Sequence, residues 1–187
     1  MPRTLFTADL HAFHAGIIPM CQRPFSNVDD MNEALRDSWN AVARPDDVVW
    51  VVGDFAHRVA DARRLRTFFD SLNGEKHLVI GNHDSKDTVR LPWKSAVHVA
   101  EIAAEGQRIF LSHYAHRVWP GQRRGTWMLY GHSHGRLAGN SQSLDVGVDC
   151  WGFCPVSAPQ IRERLAELPP PEAEGDPEPD NNGGPTP

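Results

Sequence analysis

Five short polar clusters carry the side chains of this chain that could do chemistry: Asp9-Leu10-His11, Gly53-Asp54, Gly81-Asn82-His83-Asp84, His113, and Gly131-His132-Ser133-His134. Each follows a short apolar or β-prone run, so each is expected where a strand passes into a loop. Carboxylate, amide and imidazole groups suit borderline divalent metals. Asp9, His11, Asp54, Asn82, His113, His132 and His134 together offer more donors than one tetrahedral ion accepts. Two ions sharing one site is the economical reading.

In Asp9-x-His11 and His132-x-His134 the donors are two residues apart, and an extended backbone would point both to one side, so that each pair grips one locus. Asp54 has two carboxylate oxygens and is expected to bridge, one oxygen to each ion. Asn82 adds an oxygen without charge. With Asp9, Asp54 and one hydroxide set against two divalent ions, the inner shell stays net positive and suits a phosphoryl oxygen. Two-metal sites with ions about 3.5–4 Å apart lower the pKa of bound water and stabilise the attacking and leaving oxygens of an in-line displacement. The expected nucleophile is a metal-bridging hydroxide, with no covalent intermediate. His83, next to Asn82, is expected to protonate or stabilise the leaving alkoxide. Asp84 reads equally as a hydrogen-bond partner of a ligand histidine or as a turn cap. His14, His116, Arg117, Arg123 and Arg124 either meet substrate phosphate or base, or lie in solvated loops. Trp119, Trp127 and Trp151 fit core or site-flanking positions better than base stacking.

The elements that must position these groups are legible in part. Thr4 to Ala8 reads as a short buried strand. Ser26-x-x-Asp29 resembles an acidic capping box before a helix through Val28, Met31, Leu35, Trp39 and Val42. Val48 to Val52 is a continuous apolar run, as expected for a strand covered on both faces. A second helix is expected over residues 60–72, stopped by Asn73-Gly74, and a third strand over His77 to Ile80. This alternation argues for parallel pairing with crossover helices, and such sheets place sites beyond the carboxyl ends of their strands. The second half has β-like pieces near 97–103, 108–112, 127–131 and 144–148, then a helix over Pro159 to Leu168. A mixed or antiparallel sheet packed against the first half follows.

Composition bounds the partners. Residues 1–168 are expected to form one domain, and residues 169–187, with seven prolines and no apolar side chain larger than alanine, a disordered tail. The net charge of −5 resides in that tail, in Glu172, Glu174, Asp176, Glu178 and Asp180, which leaves the body neutral. A neutral body gives no footprint for a membrane surface or a long nucleic acid. Cys21, Cys150 and Cys154 show no pairing pattern and read as free thiols. Asp9 and His11 interrupt any signal-like core, and no apolar run reaches membrane-spanning length, so a cytoplasmic location is expected.

Taken together, the five clusters resemble the full signature of the calcineurin-like metallophosphoesterases in order, interval and strand-end placement, over roughly residues 4–168. The resemblance implies an α/β (α+β) fold of two stacked mixed β-sheets flanked by helices, with a dinuclear centre at the strand ends. It implies one metal held by Asp9, His11, Asp54 and His134, and a second by Asp54, Asn82, His113 and His132. Manganese, iron or zinc would fit, manganese being favoured. In the protein serine/threonine phosphatases of this family, an aspartate after the second cluster orients the catalytic histidine; here His57 takes that place, in Gly53-Asp54-Phe55-Ala56-His57. That departure is similar to the DNA-repair nucleases and other phosphodiesterases; His57 is expected to act catalytically by orienting His83 or touching phosphate, the alternative being a plain loop residue. Leu111-Ser112-His113-Tyr114 and the run from Leu144 to Trp151 look like compact bacterial and phage members that act on small diesters such as cyclic nucleotides. The resulting expectation is a metal-dependent phosphodiesterase for a small nucleotide-like phosphoester. A phosphomonoesterase, or a non-catalytic metal-dependent phosphate-binding module, is the alternative.

Overall fold

A computed structural model describes residues 2–58 and 60–171. The chain builds β1 (Thr4–Thr7), α1 (Ile17–Met20), α2 (Val28–Val42), β2 (Val48–Val52), α3 (Ala62–Asp70), β3 (Glu75–Val79), α4 (Lys86–Val89), β4 (Ser95–Val97), β5 (Val99–Ala104), β6 (Gln107–Ser112), β7 (Trp127–Tyr130), β8 (Ser143–Asp145), β9 (Val156–Ser157) and α5 (Ala158–Ala166). These strands form two mixed sheets, ordered β4-β3-β2-β1-β9 and β5-β6-β7-β8. In the first, β1 to β4 run parallel and β9 returns antiparallel along β1. In the second, β5 is antiparallel to β6, while β6, β7 and β8 are parallel.

The uninterrupted apolar run of β2 now has its cause. Val49 and Val51 face one core, with Met31, Leu35 and Trp39 of α2 and Leu65, Phe68 and Phe69 of α3. Trp50 and Val52 face the other, with Ile109, Leu111, Trp127, Leu129 and Leu144 of the opposing sheet and Ile161 and Leu165 of α5. A strand between two cores has no wet face on which to place a polar residue. The two sheets therefore stack through a shared apolar layer, and their parallel strands end on one edge of it.

Several local expectations need correction. Asn27, not Ser26, caps α2, accepting from the backbone N–H groups of Asp29 and Asp30. The piece read as one strand over 97–103 is two, because the chain changes sheets at His98 between β4 and β5. The last β-like piece is shorter than read, since Val148–Cys150 closes into a 3₁₀ turn. The strand β9 and the one-turn helices α1 and α4 carry too few residues for any periodicity to register. Just past residue 168, Ser141 N donates to the Pro169 carbonyl at 2.7 Å. The expected disorder of the acidic tail lies outside the described residues beyond Pro171. Among the described residues no helix is long and apolar enough to cross a membrane, and all three cysteines are free.

Candidate metal centre

The seven expected donors leave the strand ends of both sheets: Asp9 and His11 after β1, Asp54 after β2, Asn82 after β3, His113 after β6, and His132 and His134 after β7. Two groups of close donor atoms result, Asp9 with His11 and His134, and Asp54 with His113 and His132. Asp54 joins them: its Oδ2 lies 3.5 Å from His11 Nε2 and 3.4 Å from His113 Nε2. Asn82 completes the second group, with Oδ1 3.0 Å from His113 Nε2.

The backbone does not deliver these side chains in the expected way. Asp9, His11, Asp54, His132 and His134 all have positive φ, between 48° and 68°. An extended strand is thus not what aims Asp9 with His11 or His132 with His134. Left-handed turns do, and they send His132 and His134 to different groups. Non-glycine residues in this region carry strain that surrounding bonds must hold in place. Glycines make the tight approach possible. A Cβ on Gly53 would sit 2.1 Å from His113 Nδ1, and one on Gly81 would sit 2.3 Å from Asp54 Oδ1.

Each acidic donor is held by one oxygen and left open at the other. Asp9 Oδ2 accepts from His132 N at 2.8 Å, while Asp9 Oδ1 is buried without a partner. Asp54 Oδ1 accepts from His83 N at 2.8 Å, which leaves Oδ2 facing both groups. A single Asp54 oxygen, Oδ2, thus faces both groups, while Oδ1 is taken up by the His83 main chain. Both ring nitrogens of His11 are likewise buried and unpartnered. Burial raises Asp9 to about 7, partly offset by His134 and His113, and burial lowers His11 to about 3. For His113, burial is outweighed by Asp54, which raises it to about 9. Buried unpartnered carboxylate and imidazole atoms converging on a negative pocket are the donor set of a cation site, and the residues fit divalent metal.

Further residues brace the centre. Asp84 neither bonds a ligand histidine nor merely caps its own turn. Its carboxylate accepts from Gly81 N, Asp54 N and Phe55 N at 2.8–3.0 Å, tying the β2 loop to the β3 loop. Arg23, Asp149 and Asp145 were not singled out from sequence as site residues. Arg23 is 4 % exposed, and its guanidinium donates to Asp9 O, Leu10 O and both oxygens of Asp149. Asp149 also receives His134 Nδ1 at 2.7 Å, which turns Nε2 of that ring toward the centre. Cys21 lies near His134 and Asp149 as well, but the buried Arg23 charge already occupies Asp149 and disfavours another cation there. Asp145 accepts from Ser133 Oγ, Gly135 N and Gly147 N, fixing the loop that carries His132 and His134. Arg23 and Asp149 are 126 positions apart, so no local pattern could have paired them.

His83 stands at the centre, its ring 5.1 Å from that of His11. His57 does not bond it. The His57 ring stacks on His14 at 4.2 Å, and His14 in turn lies 6.1 Å from His83. His14 therefore belongs to the centre and not to a solvated loop, whereas His116 turns to Ser112 Oγ at 3.0 Å.

The chain resembles known proteins in sequence and in fold. The chain is 31% identical to protein MJ1445 of Methanocaldococcus jannaschii, over 84% of this chain and 88% of that one. It is 25% identical to the gene 66 protein of Mycobacterium phage L5, over 81% and 89%. In fold it is similar to the solved structure of protein AQ665 from Aquifex aeolicus, with a TM-score of 0.69 at 20% identity, covering 88% of this chain and 100% of that one. The model of the calcineurin-like phosphoesterase family matches residues 2–146, so the chain belongs to that divalent-metal-dependent family of phosphoric ester hydrolases.

Proposed function

We propose that the protein hydrolyses phosphodiester bonds of a small nucleotide-like substrate at a pair of divalent ions, manganese being favoured. Asp9, His11, Asp54 and His134 would hold one ion, and Asp54, Asn82, His113 and His132 the other. The ions would supply Lewis acidity toward the phosphoryl group and a lowered pKa for water. The observation that carries the reading is the shared Asp54 Oδ2, 3.5 Å from His11 Nε2 and 3.4 Å from His113 Nε2, beside the unpartnered Asp9 Oδ1.

The remaining residues act on the substrate or on its neighbours. His83 is half-buried, and its main chain is pinned to Asp54, so its imidazole can give a proton to the leaving alkoxide without drifting. A module that only bound phosphate would have no use for a proton donor so placed. The His14–His57 stack borders His83 and offers ring N–H groups to a non-reacting oxygen of the ester. His57, in place of the aspartate of the protein phosphatases, supports the diester preference.

The manganese-loaded protein is expected to cleave bis(p-nitrophenyl) phosphate faster than p-nitrophenyl phosphate, and Asp54→Ala to lose both metal and turnover. Faster cleavage of the monoester would replace the diester reading with a phosphomonoesterase. A His83→Ala variant with undiminished turnover would remove His83 from the reaction.

A further inference from the structure

Selectivity for an organic group must come from the side chains at the mouth of the centre, and aromatic rings are the natural partners of another ring. The tryptophans nearest the motifs in sequence are not available. Trp119 and Trp127 are each 7 % exposed, and Trp119 gives its indole N–H to Thr126 O at 2.8 Å. Trp151 gives its own to Asp145 O at 2.9 Å, with Arg164 lying over its ring. Among the described residues, Tyr114 is the one phenylalanine, tyrosine or tryptophan that is exposed, at 50 %.

Its location gives the exposure meaning. Tyr114 follows His113 directly, and its ring lies 5.2 Å from that of His113 and 4.5 Å from that of His132. Asn82 and His132, in the same donor group, are the exposed members of the set, so the centre opens on Tyr114's side. An apolar ring left half in water costs hydrophobic free energy that a stacked partner recovers.

We propose that Tyr114 is a stacking platform that selects phosphoesters bearing a planar heteroaromatic ring, the nucleobase class, over alkyl phosphoesters. The proposal rests on phosphoester hydrolysis at this centre, but not on whether one or two ester bonds are present. Every base offers a π-face, so the selection is for base over no base and is tolerant among bases.

The test compares esters that share a phosphate and differ in the organic group: 2′,3′-cyclic AMP against glycerol 1,2-cyclic phosphate, and AMP against glycerol 3-phosphate. Binding of AMP relative to inorganic phosphate, by calorimetry on the manganese-loaded chain, gives a readout independent of turnover. Tyr114→Ala and Tyr114→Leu are expected to lower each base-to-alkyl ratio in kcat/KM, and the AMP-to-phosphate affinity ratio, by about tenfold. Tyr114→Phe should keep them. Ratios are taken at matched metal content, because Tyr114 touches His132. Unchanged ratios in the Ala and Leu variants, or equal losses on both members of each pair, would make Tyr114 a mere buttress of His132 and overturn the proposal. A loss in Tyr114→Phe as large as in Tyr114→Ala would also overturn it, since the hydroxyl would then be responsible. If the protein cleaves monoesters alone, the diester reading fails while the AMP pair still decides the role of Tyr114.

Discussion

Asp9 and Asp47 are both fully buried, each 0 % exposed, at opposite ends of the paired strands β1 and β2. Asp47 is saturated. It accepts from the main chain and guanidinium of Arg3 and from Arg44 N, and the Arg3 hydrogen bond holds its carboxyl well below the ordinary 3.8. Asp9 receives one N–H, from His132, keeps an unpartnered oxygen, and is pushed up to about 7 by burial. Burial alone therefore does not separate a structural carboxylate from a functional one. What separates them is whether every oxygen is occupied, because a buried open lone pair destabilises the fold until a cation meets it.

The largest expected effect breaks the comparison at the open end. Asp9→Asn should remove several kcal/mol of transition-state stabilisation, a loss of about a thousandfold or more in kcat/KM. The metal-free variant should nevertheless be at least as stable as the parent at pH 8. A carboxyl whose folded pKa is raised from 3.8 to about 7 costs stability as pH climbs through that window, and asparagine carries no such charge. Thermal unfolding in a chelator checks the sign. Next in size, Arg23→Lys should weaken metal binding about 10–100-fold, because an ammonium cannot reproduce the fork that holds Asp149, Asp9 O and Leu10 O together. Metal titration followed by calorimetry reads it.

At the saturated end, Asp47→Asn should cost about 1–3 kcal/mol of stability at pH 7, while kcat per folded molecule holds. The folded pKa of Asp47 is depressed, so its contribution is present above 3.8 and lost as pH falls through the lower folded value. Denaturant midpoints should thus converge for variant and parent in strong acid. The smallest effect sharpens the contrast: metal affinity should rise from pH 6 to pH 8 and binding should release protons, since protons compete for Asp9 at about 7 and for His113 at about 9. Affinity independent of pH over that range would show that these two side chains are not ligands.

Much of the first sheet was legible because its signals are local. The apolar run of β2 and the helical spacing of Met31, Leu35 and Trp39 need no partner to be read. The split at His98 was hidden because β4 and β5 are nearly contiguous, and only pairing with different sheets separates them. At the centre, residue types and strand-end placement pointed to seven side chains that the fold brings close together. Their backbone conformation is not legible in the sequence, because spacing by two is compatible with both an extended strand and left-handed turns.

The sequence by itself determined which donors exist, which apolar runs carry them, and that carboxylate, amide and imidazole together ask for divalent cations. The tertiary structure alone decided that Asp54 presents one oxygen to both groups, that left-handed backbone aims Asp9, His11, His132 and His134, that Arg23 crosses the chain to fasten Asp149 and Asp9, and that Tyr114 is the ring left open at the mouth. The reason is physical. Donor chemistry belongs to each residue, whereas occupancy of a lone pair and exposure of a ring depend on groups that arrive from distant parts of the chain.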